Sequence, residues 1–249
     1  MKEKNCNIIT NRELAPNRFA ITMDASDWAH TVSPGQFVHI KCGSDSFLRR
    51  PISVCDIQEG FLKIVFEVKG RGTQWLSQQK SGSLNLLGPL GQGFDVSGRN
   101  ILLVGGGIGT PPLLYAARQA YGMTTAILGF ATAEQVILKE HFRQTANKVI
   151  YTTEDGSFGE TGFVTEPLRK ELQTGGYDSI LSCGPNPMLK AVAKLAEEFD
   201  IPCQVSLEER MACGVGACVV CACAMQNGTM LRACKDGPVF SAKEVMWDA

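Results

Sequence analysis

The sequence predicts an α+β multidomain fold: a small antiparallel β-barrel, then an α/β domain on a parallel sheet, then a cysteine-rich C-terminal unit. Three observations lead there. Residues up to about 96 read as short β-type runs separated by Gly- and Pro-rich punctuation. From Asn100 onward, buried-type strands alternate with helical patterns, the texture of βα units around a parallel sheet. Five of the ten cysteines fall in the last 37 residues. The expected divisions are 1–96, 97–205 and 206–249, within the size that 249 residues allow for two domains and an appendage.

In the first unit FAITMD (Phe19 to Asp24), QFVHIKC (Gln36 to Cys42) and FLKIVFEV (Phe61 to Val68) are the β-type runs, and Gly72 to Gln79 suits one short helix. In the second, ILLV runs into a glycine turn and the helix-like TPPLLYAARQA. The alternation repeats through TTAILGF, AEQVILKEHFRQ, KVIYTT, VTEPLRKEL, SILSCG, PMLKAVAKLAEEF and QVSLEE. No charge interrupts Asn100 to Ala117, but Gly105, Gly106, Gly107 and Gly109 followed by Pro111 and Pro112 read as strand, turn and helix start rather than a membrane span. A composition of 44% hydrophobic and 20% charged residues is that of a globular chain, and a net charge of −1 gives no electrostatic argument for nucleic acid or an anionic membrane. The opening MKEKNCNIIT lacks an apolar core, so a cytoplasmic location is expected.

Crowded thiols in an intracellular chain point to metal binding rather than disulfides. Cys213, Cys218 and Cys221 have the spacing C-x4-C-x2-C, and Cys234 follows after twelve intervening residues. This is the plant-type spacing of a 2Fe-2S cluster held by four thiolates. Gly214, Gly216 and Ala217 let the backbone wrap closely and turn its N–H groups toward sulfur. Structural zinc usually pairs two C-x2-C units and one clean pair is present, so zinc and unligated core thiols stand as the alternatives. Cys223 would crowd one iron beside Cys221, which favours Cys234 as fourth ligand.

Gly105-Gly106-Gly107-Ile108-Gly109-Thr110 lies between a strand and a helix start, where a phosphate can approach free N–H groups and the positive helix end. The strict dinucleotide pattern is not met, because Thr110 stands at its third glycine. A second loop, Cys183-Gly184-Pro185-Asn186-Pro187-Met188, also follows a strand and precedes a helix. Two such loops at the carboxyl ends of strands would flank a dinucleotide crevice. LGFATAE has no Arg or Lys to hold a 2′-phosphate, which favours NAD over NADP. In the barrel, Arg50-Pro51-Ile52-Ser53 offers a guanidinium for a pyrophosphate and a hydroxyl for a ring nitrogen, and Gly72-Thr73 lies at a helix start that suits phosphate. The neighbouring Arg49 and Arg50 also have a plainer reading as a solvated surface. His30, His39 and His141 fall outside every motif and read as surface or packing residues.

Taken in order, RRPIS, GRGT, GPLGQGF, GGGIGTPP, CGPNPM and the cysteine quartet resemble the ferredoxin reductase-like flavoproteins. The C-terminal run LEERMACGVGAC ending in CKDGPVF is similar to the electron-transfer subunits of NAD-linked two-component dihydroorotate dehydrogenases. The resemblance implies FAD in the barrel along Arg50, Pro51, Ile52 and Ser53, with Gly72 and Thr73 at its phosphates and Val65, Phe66 and Glu67 beside its adenosine or ribityl part. It implies NAD at Gly105 to Thr110 and at Gly184, Pro185 and Met188, with Cys183 as the catalytic candidate approaching the nicotinamide. The cluster would be held by Cys213, Cys218, Cys221 and Cys234. The implied partner is an FMN-containing dihydroorotate dehydrogenase catalytic subunit, in a heterotetramer of two plus two. Electrons from its FMN would pass through the cluster and FAD to NAD+. Two other readings share these motifs: an NAD(P)H-linked ferredoxin or sulfide oxidoreductase subunit, and a non-enzymatic iron–sulfur carrier or scaffold. Ile52 departs from the aromatic residue of many such reductases, and Trp247 reads as packing rather than as a flavin cover.

Overall fold

The computed structural model describes residues 2–44 and 46–248. Its first part is a closed antiparallel barrel of β1 (Lys2–Ala15), β2 (Arg18–Asp24), β3 (Phe37–Ile40), β4 (Arg50–Gln58), β5 (Phe61–Glu67) and β6 (Ser83–Leu90), in the order β1-β2-β5-β4-β3-β6. The inward-facing side chains, among them Ile21, Met23, Val38, Ile40, Val54, Ile64 and Leu86, form its core. Helix α1 (Arg71–Gln78) is the short helix expected between β5 and β6. Strand β1, at 14 residues, has no counterpart among the β-type runs read from the sequence, because it is mostly exposed and polar and buries only Cys6 and Ala15.

The second part holds β7 (Asn100–Gly106), α2 (Pro111–Gln119), β8 (Met123–Phe130), α3 (Lys139–Thr145), β9 (Lys148–Thr153), β10 (Glu160–Thr161), α4 (Thr165–Thr174), β11 (Ser179–Cys183), α5 (Asn186–Glu198) and β12 (Cys203–Ser206). These strands are parallel in the order β10-β9-β8-β7-β11-β12. Both faces of the sheet are covered, which is why its central strands read as unbroken apolar runs. Ile101 and Leu103 of β7 face α2 and α3, while Leu102 and Val104 face α4 and α5.

The C-terminal segment forms a hairpin of β13 (Ala222–Ala224) and β14 (Met230–Arg232), then returns to the sheet as β15 (Val239–Ser241), antiparallel to β12. Cys221, Cys223, Met225, Ala233 and Cys234 share one core with Leu102, Val104 and the α4/α5 face. The segment after residue 206 therefore grows out of the sheet instead of standing apart from it.

Helix α2 joins barrel to sheet. Tyr115 Oη donates to the buried Val32 carbonyl at 3.0 Å, and Arg118 Nε reaches both carboxylate oxygens of Asp56 on β4 at 3.1 and 3.2 Å. Arg18 of β2 makes a second tie, donating to the Gln135 carbonyl at 2.8 Å and to Glu67 at 3.3 Å. Among the described residues, no helix is long and apolar enough to cross a membrane.

Candidate functional site

A cleft of about 550 Å³ opens where barrel, sheet and C-terminal segment meet, a size that suits a cofactor. Its barrel wall is the start of β4 (Arg50, Pro51, Ile52, Ser53) and the end of β5 (Val65, Phe66, Glu67). These two segments reach one wall because β4 pairs with β5 in the closed sheet. The guanidinium of Arg50 lies over the first turn of α1: a Cβ on Gly72 would stand 2.6 Å from Arg50 Nε. Glycine at 72 thus lets a cation and a helix N-terminus converge, and both favour phosphate. Gly72 itself is buried behind Arg50. Thr73 lines the cleft, but its hydroxyl accepts the N–H of Lys69 at 2.9 Å and donates to the Gly70 carbonyl at 3.1 Å, so it holds the turn together.

Arg49 corrects the solvated-surface reading. It donates to the carbonyls of His39 and Asn85, both at 3.2 Å, to Asn85 Oδ1 at 2.6 Å and to Glu3 at 2.9 Å. Arg49 therefore braces the barrel rim, while Arg50 remains turned to the cleft.

The facing wall is the pair of strand-to-helix loops. Gly106, Gly107, Ile108 and Gly109 line the cleft from β7, and Cys183, Gly184 and Pro185 from β11. The loops touch: a Cβ on Gly109 would lie 2.5 Å from the Cys183 carbonyl oxygen. Three of the expected nucleotide residues, Gly105, Thr110 and Met188, lie behind this surface. Gly105 is packed against Thr110 and Leu113, and the fully buried Thr110 donates its hydroxyl to the Gly107 carbonyl at 3.0 Å. Met188 fills the floor beneath both loops, its sulfur 2.6 Å from where a Gly106 Cβ would stand. Burial pushes the Cys183 thiol up to about 12, partly opposed by a hydrogen bond with Ser206, so Cys183 presents a neutral thiol to the cleft.

The third wall is formed by Ser206, Leu207, Glu208, Glu209 and Met211, which the sequence reading did not include in the cleft. They lead from β12 straight into the cysteine loop. A second opening of about 710 Å³, bounded by Leu48 to Pro51, Gly184 to Asn186 and Glu208 to Met211, shares several of these residues and continues the cleft outward.

Among the described residues, no three metal-ligating side chains converge as on a single ion. The thiols act on one another, Cys213 with Cys218, Cys221 with Cys234, and Cys213 on Cys234. Four thiols at the plant-type spacing suit a 2Fe-2S cluster better than zinc, whose structural sites usually pair two C-x2-C units. Cys213 Sγ accepts the N–H groups of Val215 at 3.4 Å and Ala217 at 3.3 Å, and Cys221 Sγ accepts that of Cys234 at 3.5 Å. Burial alone would raise the Cys213 thiol, but these N–H groups, that of Cys218 and the Cys218 thiol outweigh it and bring it down to about 6. The loop needs left-handed backbone at Gly214 (φ +71°), Gly216 (φ +84°) and the β-branched Val219 (φ +58°). A valine in that region is strained, and such strain persists where the fold must wrap a group closely. Arg232 holds the loop by donating to the Gly216 carbonyl at 3.0 Å while paired with Asp236. Cys221 and Cys234 are buried and Cys218 is exposed, so one pair faces the core and the other reaches the surface. Cys223 points into the core, its thiol pushed up to about 12 chiefly by burial, beside the Cys221 carbonyl. Trp247 packs on the same core and donates its indole N–H to Ala242.

His39 is the packing case of the surface-or-packing reading. It is fully buried, neither ring nitrogen has a hydrogen-bond partner of good geometry among the described residues, and its ring meets the cysteine loop at Gly214.

Comparison with known proteins agrees with this layout. A family model for the iron-sulfur cluster binding domain of dihydroorotate dehydrogenase B matches residues 208–246. The chain is 40% identical over 247 residues to the dihydroorotate dehydrogenase B (NAD(+)) electron transfer subunit of Caldanaerobacter subterraneus subsp. tengcongensis, covering 96% of this chain and 97% of the relative. It is 41% identical to the subunit of the same name from Geobacillus thermodenitrificans, covering 96% of each. Among solved structures, a chain of the NADH-dependent reduced ferredoxin-NADP oxidoreductase, described for flavin-based electron bifurcation, superposes with TM-score 0.87 at 30% identity, over 98% of this chain and 91% of that one. The ferredoxin reductase of carbazole 1,9a-dioxygenase shares the fold at TM-score 0.67 and 20% identity, over 81% of this chain and 67% of that one.

Proposed function

The chain belongs to the family of dihydroorotate dehydrogenase B electron transfer subunits, and from that premise we propose that it carries electrons from the FMN of a partner catalytic subunit to NAD+, in an assembly of two plus two. The observation that carries the reading is the single cleft on which the β4 start, both nucleotide loops and the approach to the cysteine loop converge. Glu208, Glu209 and Met211, which lead into the cysteine loop, share that cleft with both nucleotide loops.

When bound, the cluster exchanges single electrons and FAD converts them into the hydride that NAD+ accepts. The chain's residues bind and orient these groups. Cys213, Cys218, Cys221 and Cys234 would hold the cluster, with the N–H groups of Val215, Ala217 and Cys234 offsetting the negative charge on sulfur. Arg50 and the start of α1 would take the pyrophosphate of FAD, and Ile52, Ser53, Val65 and Phe66 would line the flavin wall. Gly106 to Gly109 and Gly184 to Pro185 would take NAD, the glycines among them leaving room for the close approach that hydride transfer needs. The neutral Cys183 thiol serves as a nicotinamide contact rather than as a base. Of the two thiol pairs, the exposed Cys218 side, flanked by exposed Val219 and Val220, faces the partner.

The test is anaerobic titration of the purified chain with NADH, following flavin and cluster absorbance separately, and then dihydroorotate-dependent NADH formation after addition of the FMN-containing subunit. Bleaching of both chromophores and turnover only in the complex is the expected result. A chain that binds neither group after oxygen-free reconstitution refutes the reading. Native mass spectrometry of the complex tests the two-plus-two assembly.

A further inference from the structure

His39 lies on β3 between two functional segments. Across one edge of the strand its pairing partner is Pro51 of β4, which lines the flavin cleft. Its ring edge meets the cysteine loop: a Cβ on Gly214 would stand 2.4 Å from His39 Nδ1 and 3.1 Å from Cε1. Glycine at 214, with its left-handed φ of +71°, is what allows the loop to pack against the imidazole at all.

The ring is fully buried, yet among the described residues neither Nδ1 nor Nε2 has a hydrogen-bond partner of good geometry, although the Arg49 backbone lies near enough to act on the ring. Its own carbonyl, by contrast, accepts from Arg49 at 3.2 Å. Either tautomer of an imidazole keeps one N–H, and leaving that donor dry is costly where a hydrocarbon of similar shape would carry no such penalty. The donor packs on Gly214, the residue next to Cys213, on the loop that also carries Cys218.

We propose that His39 is a positioning residue of the electron path, its ring N–H held as a hydrogen-bond donor to the bound 2Fe-2S cluster from the barrel side while the ring spaces the cysteine loop from the flavin strand. The inference rests on the assignment of the four cysteines as ligands. Reduction adds negative charge to the cluster, and a donor aimed at its sulfur stabilises the reduced form, so His39 raises the reduction potential. One neutral hydrogen bond changes the one-electron equilibrium by about fivefold to tenfold, and tenfold corresponds to about 59 mV.

The experiment is an EPR-monitored redox titration of the assembled complex carrying wild type, His39→Leu or His39→Gln. His39→Leu is expected to shift the cluster potential downward by up to tenfold in the equilibrium. His39→Gln, which keeps an N–H donor, recovers part of the shift. Wild-type complex labelled with nitrogen-15 in histidine supplies a measurement that needs no variant: pulsed EPR of the reduced cluster should show coupling to a histidine nitrogen. An unchanged potential in a cluster-loaded His39→Leu complex overturns the proposal, and so does the absence of histidine coupling in the wild type. Iron and sulfide analysis of the wild type separates this from failure of the ligand assignment, since a wild-type chain without cluster removes the cysteine reading itself.

Discussion

Replacing Arg118 by alanine should loosen the joint between the two domains and slow flavin reduction, although Arg118 is outside the cleft. Asp56 is the buried half of the pair, its side chain 3% exposed, whereas that of Arg118 is 32% exposed. Removing the cation strips two contacts at 3.1 and 3.2 Å from a carboxylate that keeps the Ile57 N–H at 3.0 Å and the Gln58 amide at 2.6 Å. Breaking a buried pair outright costs about 3–5 kcal/mol, and the two remaining donors place this case lower, at about 2–3 kcal/mol. For a chain of this size that corresponds to a melting temperature roughly 5–10 °C lower. Arg118 ends the helix whose start carries the glycine loop, and Asp56 lies on the strand whose start carries Arg50 to Ser53. The loss should therefore also reach the relative placement of nicotinamide and flavin, where displacements of about 1 Å can cost a hundredfold in rate. Calorimetry and stopped-flow reduction of bound FAD by NADH measure the two effects. A double-mutant cycle with Asp56→Asn should show a double variant less destabilised than the sum of the singles. An Arg118→Ala protein that melts within about 1 °C of wild type and is reduced at the wild-type rate refutes the reasoning.

Arg50→Ala should weaken FAD binding by roughly tenfold to a hundredfold, the value of charge-assisted hydrogen bonds to phosphate, as read by fluorescence titration of the FAD-free chain. Gly109→Ala forces a methyl group against the Cys183 carbonyl, where 2.5 Å is available, so it should cost about 1–3 kcal/mol and raise the KM for NADH while FAD content stays at the wild-type level. For Glu171, burial would raise the carboxyl, but Lys148 at 2.7 Å and the Tyr177 hydroxyl at 2.6 Å outweigh it and hold it below its ordinary 4.5. A carboxylate lowered in this way stabilises the fold above 4.5 and loses that contribution as pH falls through the folded value. Glu171→Gln should accordingly cost up to about 1 kcal/mol near neutrality and converge with wild type as the pH falls below 4.5 in urea denaturation; a difference that grows on acidification would reverse the argument.

The nucleotide and cysteine loops were legible in the sequence because their chemistry is local. A glycine loop between strand and helix, or four thiols at fixed spacing, declares itself within a few residues. The same locality limits what such motifs specify. Gly105 and Thr110 belong to the pattern yet serve its packing: Gly105 lies inside β7 against Thr110 and Leu113, and Thr110 is fully buried where α2 begins. Strand β1 went unread for the opposite reason: as a partner of β2 and β6 that buries only Cys6 and Ala15, it lacks the alternation that marks a half-buried strand. Arg49 and Arg50 look equivalent in sequence, and only the pairing of β3, β4 and β6 gives one to the barrel rim and leaves the other at the cleft.

His39 marks the limit of sequence reading most sharply, since its significant neighbour, Gly214, is 175 positions away and no periodicity connects them. What brings them together is the way the C-terminal segment is anchored. Its hairpin shares a core with β7 and with α4 and α5, β15 closes the sheet edge beside β12, and Gln92 at the end of the barrel donates its N–H to the Gly237 carbonyl at 2.6 Å. A cysteine loop tied to both sheet and barrel cannot swing as a tethered carrier does without breaking buried contacts. The packing of Gly214 on His39 and the place of Met211 at the cleft edge therefore hold the cysteine loop in one position against the barrel.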